Sequence, residues 1–148
     1  MRIKLFTAAL LSLIGITSVS LAQTKKKAAA KATPRYSLAA SITSGLAVYK
    51  QYCLTCHQAD GGGVQNLNPP LAKTTFVLGD KTKLINIVLK GFNEDVEING
   101  NYYSNAMPAH NFLTDQQVAD VLSYVRNNFG NKASGITVAE VKKVREIK

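Results

Sequence analysis

Apolar residues recur at helical spacing in four stretches of this chain. From Ser41 the pattern turns helical, with Leu46, Tyr49 and Tyr52 on neighbouring faces, and Thr43 or Ser44 is placed to cap that helix. Asp80 caps a second helix whose inward positions are Leu84, Ile85, Val88 and Leu89, and Gly91 stops it. Thr114 with Gln117 forms a capping box ahead of the clearest stripe, Val118, Val121, Leu122, Val125 and Phe129, with Gly130 as its stop. Thr137 and Glu140 open a last short helix bearing Val141 and Val144. Period-two patterning is confined to one place. Asn99-Gly100, between Val96–Ile98 and Asn101–Tyr103, suits a two-residue hairpin turn. A glycine-rich loop, Gly61 to Gly63, leads into Pro69-Pro70-Leu71, and there is no internal repeat. The pattern predicts an all-α fold with one small β-hairpin.

The first 35 residues do not belong to that pattern. Arg2 and Lys4 precede an apolar run from Leu5 to Ile16, and Ser20-Leu21-Ala22 supplies small residues for signal peptidase. Residues 1–22 therefore read as a signal peptide cleaved after Ala22. An uncleaved membrane anchor is the alternative, but five Ser and Thr residues dilute a run already short for a bilayer. No cysteine lies near the cleavage point to take a lipid. Residues 23–35 are rich in Lys and Ala and hold no large apolar side chain, so they cannot offset their ordering entropy and read as a disordered basic tail. Residues 36–148 form one domain.

Charge follows the same division. Of the net +9 on 148 residues, two units sit on Arg2 and Lys4 and five on Lys25, Lys26, Lys27, Lys31 and Arg35, leaving +2 for residues 36–148. The basic balance is thus a property of the first 35 residues and gives only a weak case for nucleic acid. A membrane surface or an acidic protein partner suits the tail better, and a solubilising role is simpler still.

The chemistry is concentrated in Cys53-Leu54-Thr55-Cys56-His57, the C-x-x-C-H attachment signal for c-type haem. Residues three apart share one face of a helical turn. Two thiols can therefore add to the two vinyl groups on one porphyrin edge while the next residue, His57, reaches the iron. Three other readings are weaker. A thioredoxin-like C-x-x-C belongs after a strand in a βαβ unit, which this pattern lacks. A zinc site would need Cys53, Cys56, His57 and the distant His110. Asp95-Val96-Glu97-Ile98-Asn99-Gly100 imitates half an EF-hand loop, but the position requiring a bidentate Glu is Ala106.

A sixth iron ligand has two candidates. Met107 is the lone methionine once Met1 leaves with the signal peptide, and it stands before Pro108 in the loop ahead of the Thr114 helix. A single methionine is often only a core filler, and His110 competes for the role. Met/His ligation is an established pattern for cytochromes c, which favours Met107.

From Ser41 to Phe129 the chain resembles a class I cytochrome c, in its Gly45/Tyr49 helix, Cys53-x-x-Cys56-His57, Pro69-x-Leu71, Met107-Pro108 and carboxy-terminal helix. The resemblance implies a few helices wrapped around one covalent haem, with first and last helices crossing near Gly45 and Tyr49. It implies His57 and Met107 as axial ligands, Pro69 and Leu71 in the pocket, and the Pro69 carbonyl accepting the His57 Nδ1 proton. Asn99-Gly100-x-x-Tyr103 ahead of Met107 resembles, more narrowly, bacterial periplasmic cytochromes associated with quinoprotein dehydrogenases or nitrite reductases. With no tryptophan to serve, Tyr102 and Tyr103 are candidate pocket residues as partners of the haem propionates, and a core or hairpin-packing role suits them equally. The chain departs from common members in Tyr49, where Phe is frequent, and in lacking tryptophan. The expected role is a non-catalytic, periplasmic single-electron carrier serving a dehydrogenase, reductase or oxidase. The rival is a haem enzyme or gas-binding protein with a vacant or labile sixth site.

Overall fold

A computed structural model describes residues 36–147; the expected signal peptide, its expected cleavage point and the expected basic tail lie outside the described residues. Six helices occupy them: α1 Leu38–Tyr52, α2 Leu54–His57, α3 Thr75–Leu78, α4 Lys81–Lys90, α5 Asp115–Val125 and α6 Val138–Glu146. No sheet forms among the described residues, only three isolated bridges.

Local signals start α4, α5 and α6 where the sequence puts them. The Asp80 carboxylate accepts the Lys83 amide, and Gly91 ends α4 at φ 78°. Thr114/Gln117 and Thr137/Glu140 are both reciprocal capping boxes. Val118, Val121, Leu122 and Val125 are buried on α5, and Val141 and Val144 on α6.

Helix α1 begins earlier than Thr43 or Ser44. Ser37 is its cap, accepting the Ala40 amide, while the Thr43 hydroxyl donates back to the Ala39 carbonyl as in a helix interior. The extra turn packs through Ser41, whose buried hydroxyl donates to the Asp120 carboxylate on α5. Four residues on, Gly45 sits where a Cβ would collide with the Asp120 carbonyl. Tyr49 completes the crossing, its ring 5.3 Å from that of Tyr124. The seam of α1 against α5 is thus Ser41, Gly45 and Tyr49, which is why no apolar stripe announces its first half.

Helix α5 stops at Val125, short of Phe129. Asn127 and Asn128 donate to the carbonyls of Ser123 and Tyr124 and so satisfy groups that further helix would have used. Phe129 adopts φ 57° and turns its ring onto Tyr49 and Tyr124, with centroids 5.3 and 5.6 Å away. The buried Arg126 donates to the carbonyls of Val77, Gly79 and Ser134, tying the short α3 to this shoulder. Helix α6 packs on both α4 and α5 and closes the core around Ile136 and Val141.

The expected hairpin is reduced to its turn. Asn99 and Gly100 take φ 53° and 82°, as a type I′ turn requires, and Ile98 pairs with Asn101. No ladder extends from it. The Ser104 and Asn105 amides donate instead to the Asn66 and Leu67 carbonyls, pinning this arm to the loop after α2.

The crossing at Gly45 makes a signed prediction. Gly45→Ala should destabilise the folded protein by about 2 kcal/mol or more, because backbone must move to admit the methyl. The same change in an exposed helix would stabilise by about 0.5–1 kcal/mol, so guanidinium unfolding distinguishes the two.

Candidate functional site

The fold leaves a hollow of about 400 Å³ between α2, α4, α5 and the loops around Pro69 and Met107. That is within the range of cofactor sites, roughly 300–1,000 Å³. Its walls are largely apolar: Leu71, Phe76, Val77, Val88, Leu122 and Val125 are among them. Such a cavity inside so small a core costs stability unless something fills it.

Cys53, Cys56 and His57 enter the hollow from the turn that follows α1. The His57 amide donates to the Cys53 carbonyl at 2.9 Å, closing one helical turn that puts both thiols on the cavity wall. Cys53 is partly buried and Cys56 exposed, so one edge of the site reaches solvent. Burial, with Cys56 beside it, pushes the Cys53 thiol up to about 11. That is the opposite of the lowered thiol that redox-exchange cysteines need. Among the described residues no group of three or more His, Cys, Asp or Glu is placed to hold a metal ion.

His57 is buried, and its Nδ1 lies 3.0 Å from the Pro69 carbonyl oxygen. A carbonyl only accepts, so Nδ1 carries the proton and Nε2 keeps a free lone pair. Burial pulls the ring below the ordinary histidine range; the Pro69 bond opposes this, and the nearby His110 adds to it. The imidazole is therefore neutral and ready to ligate at neutral pH.

Met107 reaches the same hollow from a different segment. Its backbone pairs with Phe92 in both directions, at 2.8 and 2.9 Å, and Gly91 makes room, since a Cβ there would fall 2.6 Å from the Met107 carbonyl oxygen. His110 also lines the cavity, but its Nδ1 donates to the Pro108 carbonyl at 2.8 Å and its ring leans on Phe112. Pro69, Leu71 and Tyr103 all line the wall, whereas Tyr102 is 57% exposed. Sequence reasoning did not find Thr74, buried on that wall and capping α3, nor Glu94 and Asp95 at its exposed rim. Their signals are short and polar, indistinguishable from loop residues.

The residues present suit a haem. Two thiols one turn apart, a neutral imidazole with its outer nitrogen committed, and a thioether share one apolar hollow. Helices wrapped around such a hollow, without a sheet, define a class: the monohaem, class I c-type cytochromes.

Comparison with known proteins agrees. The family model for cytochrome c matches residues 42–129. The cytochrome c subunit of the quinone alcohol dehydrogenase of Gluconacetobacter polyoxogenes is 38% identical over 107 residues, which are 69% of this chain but 22% of that one. Cytochrome c-552 of Thermus thermophilus is 32% identical over 117 residues, covering 73% of this chain and 78% of its own. The cytochrome c subunit of gluconate 2-dehydrogenase of Pantoea cypripedii is 36% identical over 107 residues, again under a quarter of its length. The chain belongs to the cytochrome c family. It carries one covalent haem c.

Because the hollow lies in the core, attachment and folding should be coupled. Cys53→Ala and Cys56→Ala should each sharply reduce the yield of holoprotein on expression with haem-attachment machinery. Acid–acetone should leave wild-type haem on the chain, and its clean extraction would contradict two thioether bonds.

Proposed function

We propose that this chain is a non-catalytic, periplasmic single-electron carrier. Cys53 and Cys56 form the thioethers, and His57 and Met107 are the axial ligands. The observation that carries this reading is the convergence on one apolar cavity of the C-x-x-C-H turn, with His57 Nδ1 committed to Pro69, and a backbone-anchored Met107. When bound, haem supplies a one-electron iron couple, and two strong protein ligands leave no position for substrate. The chain's part is to hold those ligands still. Pro69 fixes the His57 tautomer, the Phe92 pairing fixes Met107, and the apolar wall keeps water out, which favours the less charged reduced state. The exposed Cys56 edge marks the side from which an electron leaves or enters.

Several features support the finer points. The pattern of residues 1–22 argues for export. No helix among the described residues is long and apolar enough to cross a membrane. Similarity to cytochrome subunits of alcohol and gluconate dehydrogenases argues for a periplasmic dehydrogenase as partner. The match to most of the Thermus cytochrome fits a carrier of one domain. The five positive charges of residues 23–35 suit an acidic partner or an anionic membrane surface rather than nucleic acid.

Replacement of the sixth ligand tests the carrier role. Met107→Ala should lower the reduction potential and open the iron to carbon monoxide; His110→Ala should do neither. If His110→Ala opens the iron and Met107→Ala does not, the ligand pair is His57/His110.

A further inference from the structure

Asn131 lies beyond the shoulder of α5, 3% exposed. Polar side chains so buried rarely lack a specific task. Its Nδ2 donates to the carbonyls of Leu71 at 3.0 Å and Val125 at 2.8 Å, and its Oδ1 accepts the Lys73 amide at 2.7 Å. Val125 ends α5; Leu71 and Lys73 flank the arm that begins at Pro69. Lys73 itself is held at φ 55°, a conformation a lysine keeps only where its surroundings over-determine it. Among the described residues, the side chains that hydrogen-bond the backbone of residues 69–73 are His57, at Pro69, and Asn131, at Leu71 and Lys73.

We propose that Asn131 is a positioning residue for the haem ligand: it fixes the 69–73 arm to α5, sets the Pro69 carbonyl against His57, and so tunes the reduction potential. The proposal rests on His57 being the ligand, as argued above. The Nδ1–H···O=C bond makes the imidazole a stronger donor, which stabilises the oxidised iron and lowers the potential. Releasing the arm weakens that bond and raises the potential. General loosening has the opposite sign, because water entering the pocket stabilises the more charged oxidised state and lowers the potential. The sign therefore separates positioning from mere structure.

The test uses holoprotein. Asn131→Ala should raise the potential and speed solvent exchange of the His57 Nδ1 proton by about fivefold or more, followed by NMR in the reduced state. Ser123→Ala, which removes a buried hydroxyl of α5 bonded to Ile136, should destabilise the protein without raising the potential. In unmutated protein, the Lys73 amide and the His57 ring proton should exchange with one protection factor and one denaturant dependence. A lowered or unchanged potential in Asn131→Ala, or unlinked exchange of the two protons in unmutated protein, overturns the proposal. A His57 ring proton lacking the haem's large ring-current shift would overturn the ligand assignment as well.

Discussion

The close approach of α1 and α5 at Gly45 is the contact on which the rest of the molecule depends. With no side chain between them, the two backbones meet directly, and Ser41, Asp120, Tyr49 and Tyr124 lock the crossing on either side. That contact decides where α1 ends, and α1 ends in the Cys53 turn. It also decides which face of α5, through Val121, Leu122 and Val125, is turned to the cavity. The Cys53-to-His57 turn and one apolar wall are thus held by one joint.

The hollow beside that joint is a place where the chain declines to fill its own core. Around it, several backbone groups have fixed partners. The Pro69 carbonyl takes the His57 proton, Met107 and Phe92 satisfy one another, and Ser104 and Asn105 reach the loop at Asn66 and Leu67. The deep wall is mainly apolar, and a buried, neutral imidazole is left with one free lone pair. This division of labour suits electron transfer: little in the protein needs to move when the iron changes charge, because the donors are fixed beforehand.

Much of this was legible in the sequence where the determining interactions are local. Asp80, Thr114 with Gln117, and Thr137 with Glu140 act within three residues, so α4, α5 and α6 begin where they are expected. Cys53, Cys56 and His57 are legible for the same reason: one helical turn makes their chemistry. Interactions between distant segments were not. The start of α1 depends on small residues facing Asp120, 79 positions from Ser41. The missing ladder depends on amides drawn to carbonyls 38 residues away. Asn131 has partners 6, 58 and 60 residues distant and reads in sequence as one more polar residue after a helix stop.

The central claim, that Met107 and His57 both hold the iron of a covalent haem, is tested most directly by the absorption spectrum of the purified, unmutated protein. The oxidised form should be low spin and show the weak far-red band of a ferric–thioether bond, and the reduced form should be unchanged under carbon monoxide. A high-spin oxidised spectrum with ready binding of carbon monoxide would contradict it and move the protein from electron carrier towards haem enzyme or gas sensor.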